Sequence, residues 1–204
     1  MAIIKLNNRA VKDATAVGTT TALGNLTFIS KQTASSSANV SFTSGLTSTY
    51  KEYIFYFNNI HPQTSTAEFL VNFSTDSGSN YNVAKTGTFF TAYQRENGTA
   101  FGLVYETVND VAQSTSYHKI CNSLDGDADS GLSGSLTIFE PSSSVFVKHY
   151  MTEVSKIGAP DTSPYCTRQF TAGYGNTTSA IDAIDFKMSS GNIDAGEITL
   201  FGVA

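Results

Sequence analysis

Three aspartates at alternate positions, in the run Asp125-Gly126-Asp127-Ala128-Asp129-Ser130-Gly131, form the densest group of candidate metal ligands in the chain. A D-x-D-x-D start resembles the opening of an EF-hand loop, which a bidentate Glu closes at its twelfth position. That position is Leu136 here, and no helices are expected on either side, so an EF-hand is excluded. Two readings remain. Asp125, Asp127 and Asp129 converge on one calcium ion in a looser β-loop site, or they solvate an Asp/Gly turn. No other cofactor is expected.

The other reactive residue types do not assemble into a motif. His61, His118 and His149 are far apart, and His61 precedes Pro62 in an expected turn. Ser133 lies in Gly131-Leu132-Ser133-Gly134, which lacks the G-x-S-x-G pattern of a nucleophile elbow. Glu106, Glu140, Glu153, Asp182 and Asp185 offer carboxylates, but nothing selects the facing pair that a glycosidase needs. The chain therefore reads as a non-enzyme. Cys121 and Cys166 have neither C-x-x-C nor metal-site spacing, which leaves two free thiols or one disulfide. Tyr81, Tyr93, Tyr117, Tyr165 and Tyr174 fall near expected loops. There an aromatic ring with a polar tip serves either as a sugar platform or as ordinary packing. N-x-S/T sequons occur at Asn25, Asn39, Asn72, Asn97 and Asn176; Asn72 sits in an expected strand, and the sequons are read as unused.

Composition narrows the partners. The net charge is −5 and the 12 Lys and Arg are scattered, so no phosphate-neutralising groove is expected. No stretch approaches the roughly 20 apolar residues of a membrane helix. The apolar run near the start, Ala2-Ile3-Ile4, is too short for a signal peptide, which predicts synthesis in the cytoplasm.

These residues must be positioned by strands. Residues 1–24 show no sustained periodicity and read as an extended docking arm, with Ile3, Ile4, Leu6 and Arg9 as its contact residues. From residue 25 to 204, short segments alternate apolar and polar residues between Gly/Ser/Asn/Asp turns, which describes one antiparallel β-sandwich or jelly roll. Expected strands cover 26–30, 39–43, 51–58, 67–74, 88–93, 101–106, 134–140, 145–154, 168–174, 181–188 and 195–203, with one helical turn within 106–118. Segment 51–58, KEYIFYFN, is apolar on both faces, as a central or doubly covered strand would be. The expected core is Phe55, Phe57, Phe69, Val71, Phe73, Ile138, Val147, Ile184, Phe186 and Leu200.

Three segments carry a family resemblance: residues 28–64 (FISKQTASSSANVSFTSGLTSTYKEYIFYFNNIHPQT), 74–83 (STDSGSNYNV) and 172–203, which ends in SGNIDAGEITLFGV. With the opening MAIIKLNNRA, they resemble small virion proteins of tailed phages, of the marine and cyanobacterial type. The resemblance implies a jelly-roll-like body without catalytic residues. It further implies a capsid-surface decoration or accessory protein held by its N-terminal arm, made in the host cytoplasm and located in the virion. Its partners would be other virion proteins, such as major capsid or tail proteins, and further copies of itself, a trimer by analogy. The alternative is a receptor-binding module of a tail fibre or spike that recognises host surface glycan.

Overall fold

The structure, a computed structural model, describes residues 26–158 and 164–203. Ile3, Ile4, Leu6 and Arg9 lie outside these residues. The described chain forms thirteen strands. They are β1 (Leu26–Ser37), β2 (Val40–Phe42), β3 (Glu52–Pro62), β4 (Ala67–Ser74), β5 (Lys85–Arg95), β6 (Phe101–Tyr105) and β7 (Val111–Ser114), followed by β8 (His118–Leu124), β9 (Leu132–Phe139), β10 (Lys148–Gly158), β11 (Tyr165–Gly175), β12 (Ala183–Met188) and β13 (Ile193–Val203). One 3-10 turn, Thr107–Asn109, precedes β7.

Hydrogen bonding arranges the strands as two antiparallel layers. The larger runs β1-β13-β3-β9-β10-β11-β5, with β6 and β7 both on the far edge of β5. The smaller runs β8-β4-β12-β2. The layers meet at one corner, where Gly158 of β10 pairs with Leu124 of β8. Without β5–β7 and β10–β11, the orders β1-β13-β3-β9 and β2-β12-β4-β8 are those of an eight-stranded jelly roll. The five extra strands lengthen one layer only.

The apolar faces of the two layers meet at Phe186 of β12. Its ring lies 5.5 Å from Phe55, 5.3 Å from Phe57, 5.7 Å from Phe69 and 6.4 Å from Phe42. Nine of the ten expected core residues are buried; Val147 is the exception. The inward row of β10 is Lys148, Tyr150, Thr152, Val154 and Lys156, one residue out of phase with the expected register, so Val147 precedes the strand and is half-buried. Period-2 parity makes such a slip move every side chain to the other face. Here it lets two lysines lay their aliphatic stems inward and hand their ammonium groups to carbonyls at the margins. The expected hairpin between 134–140 and 145–154 is present as β9–β10, though its loop is longer than the Pro-Ser-Ser-Ser anticipated. Strands β7 and β8 were not expected, and the helical turn within 106–118 is the 3-10 turn.

A bulge in β3 decides where its last residues point. Tyr53, Phe55 and Phe57 face inward, the register shifts between Phe57 and Ile60, and Ile60 then takes the inward place. Asn59 sits at φ +48°, and its N–H donates to Ser133 Oγ at 3.1 Å. His61, odd-numbered like the core residues before it, is thereby aimed out of the core. The bulge requires a glycine opposite: a Cβ on Gly196, at φ +117°, would lie 2.6 Å from the Asn59 carbonyl oxygen.

Replacing Phe186 with Ala removes the ring that four others touch. It should cost about 3–5 kcal/mol, whereas Val108→Ser, at a side chain 89% exposed, should stay within about 0.5 kcal/mol. Urea denaturation of the two variants measures the difference.

Candidate functional site

The bulge aims His61 into a cavity of about 740 Å³ at the end of the sandwich. The cavity lies between β3, the β8–β9 loop and the start of β13. His61 Nε2 is 3.0 Å from the Asp127 carbonyl oxygen, which only accepts, so Nε2 carries the proton. Nδ1 faces the Asp194 carboxylate at 3.8 Å. Asp129, Ser130, Gln63 and Asn59 supply further polar groups, and Ile157 and Ala128 supply apolar wall. Among the described residues no lysine or arginine lines the cavity. The carboxylates of Asp129 and Asp194 suit a neutral or cationic ligand and disfavour an anion.

The cavity joins two features that sequence reading treated separately, the aspartate loop and His61. Asp125 is buried, its Oδ1 accepting the Asp127 N–H at 3.3 Å, while Asp127 and Asp129 are exposed. Among the described residues no three His, Cys, Asp or Glu side chains group as metal ligands.

A second, smaller cleft of about 270 Å³ opens between β5, β8, β10 and β11. Tyr93 and Tyr165 form one wall, rings edge to face at 5.6 Å, with the Arg95 guanidinium 4.8 Å from the Tyr165 centroid. Gln169, fully buried, accepts the Asn122 N–H at 3.0 Å and donates to the Asn122 side chain. Lys156 donates to the Ser123 carbonyl at 2.8 Å, and burial lowers its pKa. An aromatic wall over a floor of amides and hydroxyls is the chemistry with which proteins hold polyhydroxylated ligands.

The remaining tyrosines are placed elsewhere. Tyr174 lies beside His149, ring centres 6.2 Å apart. Tyr117 donates to Asp185 at 2.8 Å, and burial together with that carboxylate raises its pKa. Tyr81 is half-buried over Asn72. Cys121 and Cys166 are both free, and burial pushes the Cys121 thiol up to about 12. Asn72 is fully buried and has no room for a glycan.

Sequence reading missed the polar interior of the longer layer. Tyr150 and His118, both fully buried, meet at 2.6 Å (Oη to Nδ1). Gly87 leaves the space for that ring, since a Cβ there would stand 2.5 Å from His118 Cε1. Nearby, Lys85 and Thr171 are also buried. The pattern Lys148-x-Tyr150-x-Thr152-x-Val154-x-Lys156 carries this signal: it has period 2, but most of its inward residues are polar. No family model, curated protein or solved structure matches this chain.

Burial, and secondarily the nearby Lys85, depresses His118 to about 4, against about 6.5 when exposed. Between these values the unfolded chain binds the proton that the folded chain refuses, so stability falls as pH drops from about 6.5 to 4. The loss should be on the order of 3 kcal/mol. Thermal melts across this range should slope less steeply for His118→Gln than for the natural chain.

Proposed function

We propose that this chain is a non-enzymatic structural subunit of a phage virion, a capsid-surface decoration or accessory protein. The observation that carries this reading is the outer face of the longer layer. There, strand register aligns Phe28, Phe201 and Ile54 in one row, with Tyr56 beside them, and Phe170, Phe90 and Tyr105 in another. Phe28 and Tyr56 lie 6.0 and 5.7 Å from Phe201, and Phe90 stacks on Phe170 at 4.8 Å. Between Tyr56 and Phe170 the register places Ser135 of β9 and Glu153 of β10. The second patch continues along β6, where Phe101 and Leu103 are 74% and 72% exposed. Contiguous apolar surface of this kind marks an interaction site, and an uncovered edge strand accepts a further strand.

In this reading residues 1–24 tether the chain to its partner while the two patches cover neighbouring subunits, further copies of this chain included. The phrase-level resemblance to tailed-phage virion proteins points the same way. Deleting residues 2–24, or replacing Phe101 and Leu103 with Asp, should leave β-type circular dichroism unchanged and abolish incorporation into particles. Normal incorporation of both variants, measured by quantitative mass spectrometry of purified particles, would refute this reading.

One observation favours a second reading, a receptor-binding module. The Tyr93–Tyr165 cleft places an aromatic wall beside the polar floor of Gln169, Asn122 and Lys156. On that reading, Tyr165→Ala should weaken retention on a neutral-glycan array at least ~10-fold, a change equivalent to about 1.4 kcal/mol. No array signal from the natural chain would eliminate it.

A further inference from the structure

A fully buried amine in the protein faces an amide. Lys85, at the start of β5, is fully buried, and its Nζ donates to Asn72 Oδ1 of β4 at 2.6 Å and to the Val83 carbonyl at 3.0 Å. Among the described residues no ion pair accompanies this amine, and burial lowers its pKa to about 7. Near neutral pH much of it is therefore the free amine, which has a nucleophilic lone pair.

The carboxamide opposite is held as an electrophile. Asn72 is fully buried. Its Oδ1 also accepts the Phe73 backbone N–H at 2.9 Å, a fixed donor placed where negative charge develops on attack at Cγ. Its Nδ2 donates to the carbonyls of Tyr81, at 2.6 Å, and Thr115, at 3.0 Å. These four hydrogen bonds fix the plane of the amide. Two reactants held together in a dry site react as one molecule, with a large gain in effective concentration. Asp185 stands directly opposite Asn72 in the β4–β12 pair and is buried. The Asp185 carboxylate is held by other donors, accepting from Asn39 at 2.8 Å, Ser41 at 2.5 Å and Tyr117 at 2.8 Å.

We propose that Lys85 and Asn72 become joined by an amide bond that forms in the folded chain. The Lys85 Nζ attacks Asn72 Cγ and the carbonyl oxygen takes up negative charge against the Phe73 N–H. A proton passes from Nζ to Nδ2. The Cγ–Nδ2 bond breaks and ammonia leaves. Nothing is oxidised or reduced, and no co-reactant is needed. Because β4 belongs to the smaller layer and β5 to the longer, the bond ties the two layers together covalently. It also gives a use to a lysine buried without a counter-ion, which burial otherwise only penalises.

Intact-mass spectrometry of the denatured full-length protein tests this directly. The expected result, N-terminal processing allowed for, is a mass lower than that of the sequence by one ammonia. Proteolysis should then yield a branched peptide joining the segments around Asn72 and Lys85. Lys85→Met should restore the full mass; if that variant does not fold, the branched peptide from the natural chain decides alone. A natural-chain mass equal to that of the sequence overturns the proposal. So does loss of ammonia with the two segments recovered unjoined, as a succinimide at Asn97-Gly98 would give.

Discussion

Everything in this fold depends on how two sheets of unequal width close on each other, and the contact that closes them is aromatic. Phe186 of the smaller layer packs among Phe55 and Phe57 of the larger layer and its own neighbours Phe42 and Phe69. All five rings are buried. Edge-to-face pairs of this kind add about 0.5–1.5 kcal/mol each beyond the area they bury. They also fix strand register, because a slip of one residue on either layer would turn the rings to solvent. Once that seam is set, β3 must bulge at Asn59 to keep Ile60 inside, and the bulge sends His61 to the end cavity.

Beyond the seam the interior changes character. Strands β10, β11 and β5 extend the longer layer past the reach of the aromatic cluster, and their inward rows carry Lys148, Thr152, Lys156, Thr167, Gln169, Thr171 and Lys85. Buried polar groups of this density persist only when hydrogen-bonded. Most are: Gln169 with Asn122, Lys156 with the Ser123 carbonyl, Thr171 with the Lys119 carbonyl. The molecule thus has an apolar half closed by aromatic contacts and a half whose interior is polar and hydrogen-bonded.

The legible and illegible parts of the sequence divide along the same line. Where inward residues are Phe, Val or Ile, alternation alone located strands; the segment 67–74 matches β4 to the residue. The doubly apolar β3 is indeed central, between β13 and β9. Strand β8, His118-Lys119-Ile120-Cys121-Asn122-Ser123-Leu124, was not located because its inward and outward residues are nearly equal in polarity. Val147 misled because a valine beside a lysine looks like the buried partner, yet the lysine stem is long enough to lie inward. The aspartate loop was visible as a chemical cluster, but its geometry follows from the turn it makes over Ser65, whose Oγ accepts the Gly126 N–H at 3.1 Å. The Tyr93–Tyr165 wall and the Lys85–Asn72 contact depend on pairings across the sheets that no local pattern encodes.

On the proposed reading as a virion subunit, the apolar patches on the outside of the longer layer are covered by neighbouring subunits. The most direct measurement of this claim is hydrogen–deuterium exchange of the chain free and within the purified particle. The account predicts slower exchange in the particle for Phe101–Tyr105 and for the first residues of β1 around Phe28, the edges beside the two patches. Equal exchange at both edges in the two states, with protection elsewhere or nowhere, would contradict it.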